Sequence, residues 1–275
     1  MDLETIKQKL EDLNKQSKKS NKSGDDWKEL AFKPTIGKQI IRIVPSKYDK
    51  SNPFKEMLLY FDIGSKRIIA SPQNWGEKDP IQEFAKELRK TNDSDSWRLA
   101  KKLDAKVRIF TPVIVREEGV TPKVKLWNFG KELYQEFLNM AVDEEIGDYT
   151  DILIGRDIKV TTVGPEVTGT KYNKTTISPS LKTTPLSKDE NLVKSLLENQ
   201  PNPLELYTRY SFEDIKEALQ EWLSGSDEEE GEETEVKADT KSNYKINPTT
   251  KKSQVEKFDD LFEEETSTEE DDLPF

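Results

Sequence analysis

The sequence predicts a mainly β body with flanking helices, of small barrel or sandwich type, set between a basic N-terminal arm and an acidic C-terminal tail. Three observations predict it. Short apolar runs, QIIRIVPS (39–46), MLLYFDI (57–63) and RIIA (67–70), are separated by Pro, Asn and Gly-Ser turns, a strand pattern rather than a helical one. Only 33% of the 275 residues are hydrophobic while 35% are charged, too little apolar matter for a core running the whole length. The acidity is also concentrated: residues 226–275 hold 18 acidic and 6 basic residues, so the tail carries −12 of a net −11 and the remainder stands at +1. The boundaries that follow are a basic arm over 1–24, a folded body over 25–225, and a disordered acidic tail over 226–275, which has too little apolar surface to offset its ordering entropy.

In the arm, Leu3, Ile6, Leu10 and Leu13 recur at helical spacing. Lys15, Lys18, Lys19 and Lys22 then stand among serines, either a solvated linker or an arm that grips phosphate or an acidic protein surface. Within the body, Arg42, Lys47 and Tyr48 fall at or near the end of the first strand, where each either faces a groove or is simply solvated. Asp79 followed by Pro80 reads as an N-cap and first helical residue, with Ile81, Phe84, Ala85 and Leu88 as the buried face. Residues 131–142 carry Leu133, Phe137, Leu138 and Ala141 as a covering helix. Ser211 and Asp214 form a capping box ahead of Phe212, Ile215, Leu219 and Trp222.

The stretch from Ser96 to Lys131 reads as a basic β-hairpin with aromatics among its charges. Strand alternation puts Lys106, Arg108 and Phe110 on one face of the first strand, and Lys123, Lys125, Trp127 and Phe129 on one face of the return strand. Trp97, Arg98, Lys101 and Lys102 lead into it, and Lys131 follows it. A face of cations and flat rings suits a polyanion with unpaired bases, because phosphates attract the cations and bases stack on the rings. Lys171, Tyr172 and Lys174 repeat the grouping on a short loop.

Composition also excludes function classes. There is no cysteine and no histidine, so disulfides, the usual zinc sites, thiol nucleophiles and imidazole bases are unavailable, which weighs against an enzyme. The carboxylates Asp143, Glu144, Glu145, Asp148 and Asp151 lack the alternating pattern of a metal-binding loop, which leaves little for a carboxylate-dependent nuclease. No apolar run approaches the length of a membrane span or a signal sequence, and the expectation is a soluble cytoplasmic protein.

In order along the body, WKEL, IIRIVPSKYDKSNPF, SWRLAKK, VKLWNFGKELYQEFLNM, GRDIKV with TKYNK, and YSFEDIKEAL resemble the T4-type phage helix-destabilising single-stranded DNA-binding protein family, from about Trp27 to Leu223. The resemblance implies a five-stranded barrel of the oligonucleotide-binding type with a small added subdomain. It also implies cooperative, sequence-independent binding of single-stranded DNA in replication, recombination and repair, in the cytoplasm of a phage host. The arm motif KKSNKS would dock on a neighbouring copy. The family's zinc subdomain uses Cys and His ligands, and ASPQNWGEKDPIQEFA here has none, so no metal or other cofactor is carried over; packing of Ile68, Ile69, Trp75, Ile81 and Phe84 is expected to hold that region. The tip Asp271-Asp272-Leu273-Pro274-Phe275 resembles the acidic end of bacterial single-stranded DNA-binding proteins, which implies recruitment of partner proteins. Two other readings of the residues remain open: an RNA-binding regulator using the same cationic and aromatic face, and an interaction scaffold acting mainly through its tail.

Overall fold

The computed structural model describes residues 29–91, 93–117, 119–225 and 257–262. They divide into two compact units. Unit 1 takes the described residues up to Met57 and then Val107–Thr208; unit 2 takes Leu58–Lys106 and the described residues from Arg209 onward. Their chain segments interleave, and each has its own apolar core.

Unit 1 is built on strands. β1 (Ala31–Phe32), β2 (Gly37–Ile43), β5 (Lys106–Val115), β6 (Lys125–Phe129), β7 (Arg156–Val163) and β8 (Lys174–Thr183) lie in the order β1-β6-β5-β2-β7-β8. β1 pairs parallel to β6 and the other neighbours on this path pair antiparallel. Among the described residues β1 and β8 end the path and do not pair with each other, so the sheet is open and mixed rather than a closed five-stranded barrel. α3 (Lys131–Ala141) covers one face: Phe137 and Met140 pack with Phe32, Ile41, Ile109, Val113, Trp127, Phe129 and Ile158. A second cluster joins Val44, Ile114, Val124 and Leu186 to Leu196 of α5 (Glu190–Glu198). A one-turn helix, α4 (Pro165–Thr168), and a left-handed Gly169 begin the β7–β8 connection.

Unit 2 is mostly helical. β3 (Lys55–Ile63) enters it and pairs antiparallel with β4 (Lys66–Ala70), with Leu59 opposite Ala70. Around this ribbon pack α1 (Pro80–Lys90), α2 (Ser94–Lys102) and α6 (Phe212–Gly225). The core gathers Tyr60, Ile63, Ile69, Ile81, Phe84, Leu88, Leu99, Leu103, Ile215 and Leu219. α1 begins as expected, with Asp79 accepting from the amides of Ile81 and Gln82 and Pro80 in the first turn. The Ser211–Asp214 capping box forms reciprocally, each side chain accepting from the other's amide at 3.1 and 3.2 Å.

The region that the resemblance aligns with a zinc subdomain is held by part of the expected packing and by a polar centre. Ile69, Ile81 and Phe84 are buried, Ile68 and Trp75 only half-buried, and Asp79 is buried too, 2% exposed. Its carboxylate accepts from Tyr60 Oη at 2.8 Å, from Ser71 Oγ and from the two α1 amides, while Ser71 itself caps the 3-10 turn Pro72–Trp75. Burial, with Asp79 alongside, pushes the Tyr60 hydroxyl above its ordinary pKa, so it stays a donor.

The tail departs from expectation in one segment. Residues 257–262 form a helical turn, here α7, with Phe258 and Phe262 at 1% and 3% exposure in the unit 2 core. The arm cations Lys15, Lys18, Lys19 and Lys22, and the tip residues Asp271, Asp272, Leu273, Pro274 and Phe275, lie outside the described residues.

Candidate nucleic-acid interface

The hairpin expected from Ser96 to Lys131 exists only in its later part. Residues up to Lys102 belong to α2, because Asp93 caps that helix on the amides of Asp95 and Ser96 and so starts it upstream of the strand. β5 and β6 do pair, with Phe110 opposite Asn128 and Thr111 opposite Trp127.

The two-faced strand does not survive. From Ile109 to Ile114 every residue of β5 is buried, since the strand is central, between β6 and β2, with a cluster on each side. Phe110 is fully buried and meets Tyr207 edge to face at 6.1 Å. Trp127, 1% exposed, sits among Phe32, Phe129 and Phe137 with centroids 5.5, 4.9 and 5.7 Å away. Phe129 packs with it beneath α3. These three rings are packed into the core, so a base cannot stack on them without opening the fold.

Arg42 is likewise interior, at 0% exposure. Its Nη2 donates to the carbonyls of Asp151 at 2.6 Å and Thr184 at 3.0 Å, and its Nη1 lies 3.6 Å from the Asp157 carboxylate. Burial lowers its pKa, with Asp157 opposing that shift. Arg116, which the sequence did not single out, shares Asp157 at 3.1 Å and donates to the carbonyls of Leu186 and Pro185. Gly155 is required beside Arg42, since a Cβ there would collide with the carbonyls of Asp151 and Tyr149 as well as with Nη2. This is an internal clamp on the loops around β7, not a groove cation.

What remains at the surface is a consistent set. Among the described residues the exposed aromatics are Tyr48, Trp97 and Tyr172, at 51%, 52% and 60%. Each has a lysine over its ring: Lys47 at 5.9 Å, Lys101 at 5.6 Å and Lys171 at 6.0 Å. All six are among the residues the sequence singled out. Tyr48 and Tyr172 are in unit 1, Trp97 in unit 2.

Tyr48 sits at a built site. Its hydroxyl donates to Gln200 O at 3.0 Å, and the Lys47 amide and ammonium donate to Gln200 Oε1 at 2.8 Å and Glu198 O at 3.0 Å. Gln200 returns a bond to Pro45 O at 2.8 Å, so the 45–54 loop is tied to the chain leaving α5. Between them lies a cleft of about 330 Å³, floored by Phe54, Phe110 and Leu126 and edged by Tyr48, Asn52, Lys55, Gln200 and Asn202. Burial first, then Glu205, raises the Tyr48 pKa, while burial pushes Tyr207 near the floor up to about 12. Both are neutral donors at pH 7. Sequence reasoning missed Asn52, Lys55, Gln200 and Asn202. NPF at 52–54 marked Asn52, and nothing local marks Gln200.

The other cations differ in freedom. Lys123, Lys131 and Lys174 are exposed, Lys125 and Arg108 are half-buried. In unit 2, Arg98 pairs with Asp95 at 3.2 Å, Lys102 is exposed at the end of α2, and exposed Lys106 lies over Phe61 at 5.6 Å. Among the described residues no group of three or more carboxylates gathers as a metal site; Asp148 and Asp151 instead accept from backbone amides two and three residues on. No described helix is long and apolar enough to cross a membrane.

No curated protein matches the chain. A family profile described as gp32 DNA binding protein like matches residues 35–224, which takes in every strand of unit 1's sheet but β1, the α1 and α2 helices of unit 2, and α6 up to its last residue. A DNA-binding domain over most of the chain, with its surface rings each paired to a lysine, places this protein in the gp32-like DNA-binding protein family.

Proposed function

We propose that this protein binds single-stranded DNA without sequence preference and cooperatively, as a phage protein that protects exposed strands in replication, recombination and repair. The observation that carries this reading is the DNA-binding family domain across residues 35–224. The surface chemistry supports it. Tyr48, Trp97 and Tyr172 offer π-faces to bases of any identity, and the lysines over them bring the charge that phosphates need. The cleft beside Tyr48 has the volume and the mix of rings and amides to admit a base edge. Exposed Lys123, Lys131, Lys171 and Lys174, together with half-buried Lys125 and Arg108, extend the cationic surface in unit 1, and Lys101, Lys102 and Lys106 do so in unit 2. The arm lysines 15, 18, 19 and 22 support contact between neighbours, and the tip Asp271–Phe275 supports recruitment of replication, recombination or repair proteins.

Titration of the full chain with oligo-dT over a salt series tests the reading. Affinity should fall steeply with salt, because bound lysines release counterions from the strand. Trp fluorescence should be quenched, chiefly through Trp97, the exposed indole of unit 2. No binding at low salt overturns the proposal, and oligo-rU that competes better than oligo-dT assigns the surface to RNA.

A further inference from the structure

We propose that unit 2 carries a peptide-docking groove between α1 and α6, and that its ligand is the chain's own Phe258–Leu261–Phe262 segment, bound in cis. The segment is spaced for one face of a helix, with apolar side chains at i, i+3 and i+4. Phe258 meets Phe84 of α1 edge to face at 5.5 Å and Phe262 at 4.9 Å. Phe262 also meets Phe212 of α6 at 5.9 Å and lies under the Lys216 ammonium at 4.9 Å. Leu261 packs partly buried against the same core, where a cleft of about 350 Å³ runs along the segment between Phe84, Leu88, Lys90 and Thr91 of the body and Lys257, Asp260 and Leu261. Helix-in-groove recognition has this form, with two rings as anchors and acidic residues left outside.

The flanking charge explains why an anchor belongs at this point. Thirty-one residues, 226–256, separate the segment from α6 and carry five lysines among nine acids, whereas the thirteen residues after it, 263–275, carry seven acids and no base. The anchor therefore divides a mixed linker from a purely acidic tip. It holds the tip to unit 2 by apolar contact, which salt does not screen, in contrast to any hold by charge alone. This inference does not depend on nucleic-acid binding.

Hydrogen exchange of the full chain followed by mass spectrometry tests it, with a synthetic peptide of residues 253–264 as the free reference. Amides over 257–262 should exchange at least about tenfold more slowly in the chain than in the peptide. That protection should persist in molar salt and on dilution of the protein. The F258A/F262A chain should lose the protection and should bind the labelled peptide in trans more tightly than the parent, whose groove is occupied. Exchange at the peptide rate in the parent overturns the proposal. Protection lost in molar salt assigns the hold to charge, and protection lost on dilution assigns it to a neighbouring copy; either result also overturns it. The parent measurements stand alone if the double variant fails to fold.

Discussion

The phenol of Tyr60 donates to the buried carboxylate of Asp79 across 2.8 Å, and the same carboxylate caps α1 and accepts from Ser71. Three elements of unit 2 thus converge on one side chain. Asp79→Ala should cost about 3 kcal/mol, combining a lost N-cap with two buried hydroxyls left unpaired, and Tyr60→Phe about 1 kcal/mol. Urea unfolding of both variants checks this; equal costs would mean that the convergence adds nothing beyond one hydrogen bond.

Trp127→Ala should behave as a core substitution. It empties a site packed by Phe32, Phe129 and Phe137 and should cost about 3–5 kcal/mol of stability. Trp97→Ala, Tyr48→Ala and Tyr172→Ala should each lose about 1–3 kcal/mol of single-strand affinity with little change in Tm. Paired Kd and Tm measurements on the four variants separate the two behaviours. A Trp127→Ala protein with parent Tm and weakened binding would reverse the assignment.

Arg42→Ala should destabilise by about 3–5 kcal/mol, since it leaves the carbonyls of Asp151 and Thr184 without their donor. Arg116 keeps Asp157 paired at 3.1 Å, which places the cost at the lower end. Chemical denaturation measures it. The folded fraction should retain its DNA affinity, and a loss there with stability intact would return Arg42 to the binding surface.

Truncation should depend on where the tail is cut. Removing 263–275 takes away seven acids, which would compete with phosphates for the surface lysines, and leaves Phe258 and Phe262 in place, so Tm should hold while DNA affinity rises. Removing 226–275 also strips both rings from the unit 2 core, at about 1.5–3 kcal/mol each, and should lower Tm as well. Calorimetry on the two truncations decides the matter, and identical melting curves would contradict the buried placement of the rings.

Acid stability follows from the caps. Asp93 is held below the ordinary carboxylate range by the Ser96 amide first, Asp151 by the Ile154 amide first, and Asp214 by the Ser211 hydroxyl first. A carboxyl whose pKa is lower folded than unfolded contributes stability that is complete above its unfolded pKa and lost as pH falls through the folded one. With no histidine in the chain, Tm should be flat from about pH 7 to 5 and fall below about pH 4. Asp214→Asn should flatten part of that acid limb; an unchanged slope would remove the capping box as a contributor.

How legible all this was depended on whether the signal was local. Caps are local, and Asp79-Pro80 and Ser211 to Asp214 are legible because the residues involved sit within one turn. Exposed rings beside lysines were also legible, since adjacency in sequence brings Lys47 to Tyr48 and Lys171 to Tyr172. The faces of β5 were not, because alternation shows what a strand offers but not that sheet and helices cover both sides of it. Arg42 and Gln200 owe their roles to partners more than 100 residues away, Asp151 and Pro45, and no window of sequence contains both ends. The tail anchor is visible in the sequence only as Phe258, Leu261 and Phe262 at helical spacing among acids, while the groove that takes them is made by α1 and α6 of the same chain.

The two ends of the strand path have a consequence for crowding. β1 is two residues long, and β8 carries Pro179, which has no N–H to offer, with Lys174 and Lys182 along its length. Short, proline-interrupted and charged borders resist accretion of further strands. Molecules packed shoulder to shoulder on one polymer would meet at enormous local concentration, and a sheet with such borders can tolerate that proximity without seeding fibrils.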